Sequence, residues 1–135
     1  FILLGGRNAG FLDDVKGLYE SRIKSAPVIV TDNTTAEMAK LAMNTYFVTK
    51  VVFANQLFDA CYRLGSNYEK VKEVVEAHPF GPKNHFEIFH NGGRGAGGRC
   101  LRKDLKAFVH YANSDLLRMV NTCNDMFLAE YPKKP

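Results

Sequence analysis

The chain opens on a short apolar run, Phe1-Ile-Leu-Leu4, closed by Gly5-Gly6, the pattern of a buried strand and a turn. Leu12, Val15, Leu18, Tyr19 and Ile23 then recur at helical spacing and predict a helix from about Phe11 to Ser25. Pro27 stops it, and Val28-Ile-Val30 predicts a second strand. Strand, helix and strand within about thirty residues match the length of one βαβ unit.

Thr31-Asp-Asn-Thr-Thr35 is a helix-start cluster, and Thr34 with Glu37 fits a capping box. From there no glycine or proline occurs until Gly65, which suits a C-cap. The pattern predicts a helix from about Thr34 to Leu64, roughly 45 Å long at 1.5 Å per residue. Met38, Leu41, Phe47, Val51, Val52, Phe53, Leu57 and Phe58 spread around more than one of its faces. A helix apolar on several faces is buried on several sides, so a subunit interface is expected along it as well as a core. A second helix is predicted from about Tyr68 to Ala77, then a loop from Pro79 to Cys100 anchored by Phe86, Ile88 and Phe89. Leu101, Leu105 and Phe108 mark a helix starting near Cys100, and Ser114 caps a last one to about Glu130. The expected class is mainly α, built on one long interface helix after a short strand-helix-strand segment.

Composition narrows the function classes. With 135 residues and 46% hydrophobic content, the chain holds one modest core. No apolar run is long enough to span a membrane, and the given N-terminus shows no basic region followed by an apolar stretch and a small-residue cleavage site. The chain starts at Phe1 rather than Met and is read as a piece of a longer protein, or as one processed at its start. Three cysteines without a C-x-x-C pattern argue against a disulfide framework and for the cytoplasm. His78, His85, His90 and His110 have no coherent ligand spacing, so no metal site is expected. The net charge of +4 is mild and does not demand a nucleic acid. Arg94, Arg99, Arg102 and Lys103 crowd one glycine-rich turn, which suits a phosphorylated small molecule better than a duplex.

That turn carries the candidate chemistry. Asn91-Gly-Gly-Arg-Gly-Ala-Gly-Gly-Arg-Cys100 delivers a cysteine to a predicted helix N-terminus among arginines, both of which favour a thiolate. Asp104 follows one helical turn later. Gly93 to Gly98 also satisfies G-x-G-x-x-G, but no hydrophobic strand leads into it, so the dinucleotide reading is rejected. On the long helix, Lys40 and Asn44 stand one turn apart among Ala36, Ala39, Leu41 and Ala42.

Thr35-Ala-Glu-x-x-Lys40-x-x-x-Asn44, Lys50-x-x-Phe53-x-Asn55, Leu64-Gly65 and Gly95-Ala-Gly-Gly-x-Cys100-Leu-x-Lys-Asp104 together resemble the nucleotide-sugar 6-dehydrogenases, the UDP-glucose and GDP-mannose dehydrogenase family. The resemblance runs from about Val28 to Tyr111. It implies that residues 1–31 are the trailing edge of an NAD-binding domain and 32–135 a central helical dimerisation and catalytic domain. It implies oxidation of the C6 alcohol of a UDP- or GDP-hexose to a carboxylate with two NAD. Cys100 would be the nucleophile, Lys40 and Asn44 would stabilise the oxyanion, and Asp104 would act as base or orient water. Phe89, Asn91, Gly92, Gly95, Gly97 and Gly98 would wrap the substrate, and Lys103 would border NAD. A homodimer through the long helix is implied, inactive without the remaining domains and with no cofactor on this chain alone. The chain departs from the family at Arg99 and Arg102, at Asn55-Gln56, and in having no arginine between Arg63 and Arg94, where Lys83 could supply a charge. The alternatives are a non-catalytic helical homodimerisation module and the helical domain of a hydroxyacid dehydrogenase.

Overall fold

The computed structural model describes residues 1–90 and 93–130. Asn91 and Gly92 of the expected substrate loop, and residues 131–135, lie outside the described residues. The chain forms two compact units, Phe1–Ala42 and Met43 onward, each described by itself.

In the first unit, β1 (Ile2–Gly5) pairs in parallel with β2 (Val28–Thr31), with Ile2 opposite Val28 and Gly5 opposite Thr31. Helix α1 (Ala9–Arg22) crosses between them. It starts before Phe11 because the Asn8 side chain accepts from the Phe11 N–H. The second strand runs into α2 (Asn33–Arg63). The helix cap is Asp32, not the Thr34–Glu37 box. One Asp32 oxygen accepts from the Thr35 N–H at 2.9 Å and the other from the Thr35 hydroxyl at 2.6 Å. A carboxylate one residue after the strand reaches both groups at once, so it starts the helix ahead of Thr34. Gly5 lies so close to α2 that a Cβ on it would stand 2.6 Å from the Ala36 Cβ.

The second unit holds most of α2, then α3 (Tyr68–Ala77), α4 (Arg99–Ala112) and α5 (Asp115–Glu130). The end of α2 is a Schellman motif: Ser66 N–H donates to Cys61 O, Gly65 N–H donates to Tyr62 O, and Gly65 has φ +67°. Two core clusters flank the helix. Val48 and Val52 pack with Ala96, Leu105, Val120 and Phe127; Ala54 and Cys61 pack with Tyr68, Phe86 and Ile88. A third stripe, Met43, Tyr46 and Phe53, is exposed. Phe86 and Ile88 anchor the 78–98 loop as expected, whereas Phe89 is exposed and meets Phe58 edge-on at 6.2 Å. Among the described residues no helix is long and apolar enough to cross a membrane.

Candidate active site

The described residues singled out by sequence fall on α2, at Phe89, on the glycine arch of residues 93–98 and on the first two turns of α4. Gly98, with φ +86°, directs the chain into α4, which begins at Arg99 without a side-chain cap. Cys100 stands exposed in that first turn. One turn further, Asp104 is buried at 2% exposure. Asn44, from the middle of α2, donates its Nδ2 to Asp104 Oδ2 at 2.5 Å, and Lys103 Nζ lies 3.4 Å from Asp104 Oδ1. The second unit therefore joins Asn44 and Asp104 directly. Lys40 stands one turn before Asn44 on α2, on an exposed position of the first unit.

An open groove of about 510 Å³ over the start of α4 is lined by Gly98, Arg99, Arg102, Lys103 and Lys106. Arg102 also reaches Asp125 at 3.5 Å. Four cations around one helix N-terminus suit a phosphate-bearing group.

Arg94 behaves differently from the other cations of the turn. It is buried, and its guanidinium is consumed within the fold. Nε donates to Asn55 Oδ1 at 2.8 Å, and Nη2 to Asn55 O at 3.1 Å and Asp59 Oδ1 at 2.7 Å. Nη1 donates to Glu130 Oε2 at 3.3 Å. The group also lies 4.5 Å from the centre of the Phe127 ring and 5.4 Å from that of Phe58. The expected cluster of four basic groups facing a ligand is corrected at this position: Asn55 and Asp59, one helical turn apart on α2, draw Arg94 inward.

Gly95, next to it, has φ +77° and is buried against α5, where a Cβ would stand 3.2 Å from the Phe127 Cβ. Gly97 is half-buried and Gly98 exposed. Sequence reasoning missed Asn124, which accepts from the Ala96 N–H at 2.7 Å and donates to the Ala96 carbonyl at 3.1 Å. Its only signal is an amide at helical spacing with Val120 and Phe127. Lys83 is exposed and caps the end of α3, donating to Glu76 O at 2.7 Å and His78 O at 3.4 Å. Among the described residues no group of His, Cys, Asp or Glu is placed to hold a metal.

The signature of the UDP-glucose/GDP-mannose dehydrogenase central domain matches residues 34–126, which include α2, the arch, α4 and most of α5. The chain belongs to that family. The UDP-glucose 6-dehydrogenase of Rickettsia felis is 30% identical over 129 residues, covering 91% of this chain and 28% of the relative. The UDP-N-acetyl-D-mannosamine dehydrogenase of Methanococcus vannielii is 30% identical over 124 residues, covering 91% and 27%. The solved UDP-glucose dehydrogenase of the hyperthermophilic archaeon Pyrobaculum islandicum superposes with a TM-score of 0.78 at 26% identity, over 92% of this chain and 28% of that one. The chain thus spans little more than a quarter of the length of these relatives.

Proposed function

We propose that this chain is the central part of an NAD-dependent nucleotide-sugar 6-dehydrogenase that converts the C6 alcohol of a UDP- or GDP-hexose to the carboxylate. The observation that carries the reading is the Asn44–Asp104 bond, which ties the long helix to α4 one turn beyond an exposed Cys100. In this reading residues 1–31 close an NAD-binding domain and 32–135 form the catalytic and dimerisation domain. The parallel β1–β2 pair with its α1 crossover fits the first assignment. The protein's free cysteines fit a reducing cytoplasm.

Cys100 Sγ adds to the C6 aldehyde and gives a thiohemiacetal; loss of hydride from that carbon leaves a thioester, which water hydrolyses. The sulfur adduct divides one hard oxidation into two accessible steps. Asn44 and Lys40 stabilise the oxyanion, and Asp104 takes a proton from the attacking water or orients it. The segment from Phe89 to Gly98, with Asn91 and Gly92 in the sequence between, wraps the sugar diphosphate. The cationic groove at α4 fits a phosphate-bearing cofactor, and Lys103 is the residue of this chain assigned to NAD. When bound, NAD supplies the hydride acceptor. The exposed stripe of Met43, Tyr46 and Phe53 supports pairing of two copies through α2. The chain is inactive alone.

A non-catalytic homodimerisation module is the second reading. The inward turn of Arg94, which withdraws one cation from the ligand side, favours it.

The test is NAD reduction with the chain joined to cofactor and nucleotide-binding domains. Two NADH per nucleotide hexose and a carboxylate product are expected, with carboxylate formation lost in Cys100→Ser. A Cys100→Ser protein that makes carboxylate at the parent rate defeats the assignment.

A further inference from the structure

We infer that Arg94 and Asn124 are positioning residues that hold the glycine arch and thereby set the first turn of α4, where Cys100 stands. The inference rests on the assignment of Cys100 as nucleophile.

The arch from Gly93 to Gly98 offers two side chains, Arg94 and Ala96, against four glycines. Glycine supplies no contacts of its own and has the most freedom to lose on ordering. Something else must hold such a segment, and both non-glycine positions are held. The Arg94 fork reaches α2 through Asn55 and Asp59 and α5 through Glu130. Its three nitrogens all donate, which a lysine could not reproduce with one ammonium. Two residues on, the Asn124 amide pairs with both backbone groups of Ala96. An amide donates and accepts at once: a carboxylate lacks the donor and a leucine lacks both.

The position of these two holds gives them their consequence. Only Gly97 and Gly98 separate Ala96 from the start of α4, and the helix has no side-chain cap of its own. The arch side of the α4 N-terminus is therefore located by Arg94 and Asn124. Loosening them lets the first turn fray, which removes Cys100 from its place at a helix terminus.

Three readouts test the inference on Asn124→Leu and on the double variant Arg94→Met/Asp59→Asn. The double variant removes the buried cation together with Asp59, its nearer carboxylate, and the Glu130 carboxylate it leaves behind is 48% exposed and solvated. Its thermal midpoint is measured alongside, and all readouts are taken well below it, so that a change at Cys100 is not a loss of fold. In both variants hydrogen exchange at the Ala96 amide should rise at least about tenfold. Alkylation of Cys100 by iodoacetamide, relative to Cys123 in the same molecule, should fall at least about threefold at neutral pH. In the NAD-reduction assay kcat should fall while KM for the nucleotide hexose holds. Faster Ala96 exchange with an unchanged Cys100-to-Cys123 ratio and unchanged kcat overturns the inference and leaves the Cys100 assignment standing. A parent protein in which Cys100 alkylates no faster than Cys123 overturns the assignment, and the inference with it.

Discussion

Asn44 and Asp104 are sixty residues apart in sequence and share one hydrogen bond, with the amide of α2 donating to the carboxylate of α4. Asp104 is buried at 2% exposure, so each donor it loses is not simply replaced by water. Asn44→Leu should therefore cost about 1–3 kcal/mol of stability. Urea unfolding measures this directly. An unchanged midpoint would show that the bond does not contribute to holding α4 on α2.

The cap of α2 has a pH signature. The Thr35 hydroxyl, then the Thr35 N–H, lower the Asp32 carboxyl below its ordinary 3.8. A depressed folded value means that the contribution to stability is present above about 3.8 and is lost as pH falls through the folded value. NMR titration of the Asp32 carboxyl should give a midpoint under 3.8 that moves up in Thr35→Val. A parent midpoint at or above the ordinary value removes Asp32 as the cap.

Tyr68 gives the opposite sign at high pH. Burial, with Glu69 and Glu87 adding to it, raises its phenol well above the ordinary 10.0. The buried hydroxyl donates to Phe86 O at 2.7 Å. Its contribution is complete below 10.0 and declines as pH rises through the folded value. Tyr68→Phe should cost about 1–2 kcal/mol at neutral pH and flatten that decline. It should also remove the late-ionising phenol from an alkaline absorbance titration. If the late phase persists in the variant, it belongs to another tyrosine.

Pairing through α2 is expected to depend on its exposed stripe. Phe53 is 57% exposed on a helix that already carries two buried faces. The parent should sediment as a dimer at micromolar concentrations, and Phe53→Glu should weaken association at least about tenfold. A parent that sediments as a monomer at high micromolar concentration rules out the interface.

The helices were largely legible in the sequence because their ends carry local signals. Gly65 closes α2, Asn67 caps α3 and Ser114 opens α5 through residues a few positions away. The start of α2 was legible only to within a residue or two, since Asp32, Thr34 and Thr35 all suit a cap and geometry selects the first. The Asn44–Asp104 pair was reached through a motif, because helical spacing says nothing about contacts sixty positions apart. The direction of Arg94 was not legible. Its partners Asn55, Asp59 and Glu130 are 35 to 39 positions away, and a count of charges does not say which one turns inward. Asn124 was hidden for the same reason, as its partner is a backbone with no sequence signal of its own.

The two core clusters on opposite sides of α2 make that helix a party wall. Val48 and Val52 look into one room, Ala54 and Cys61 into the other, and no second layer separates them. A displacement of α3 can therefore reach α4 by moving the wall itself, while the Phe86–Ile88 anchor also leads to α4 along the chain through Ala96. A substitution that thickens one room presses on the wall it shares with the other.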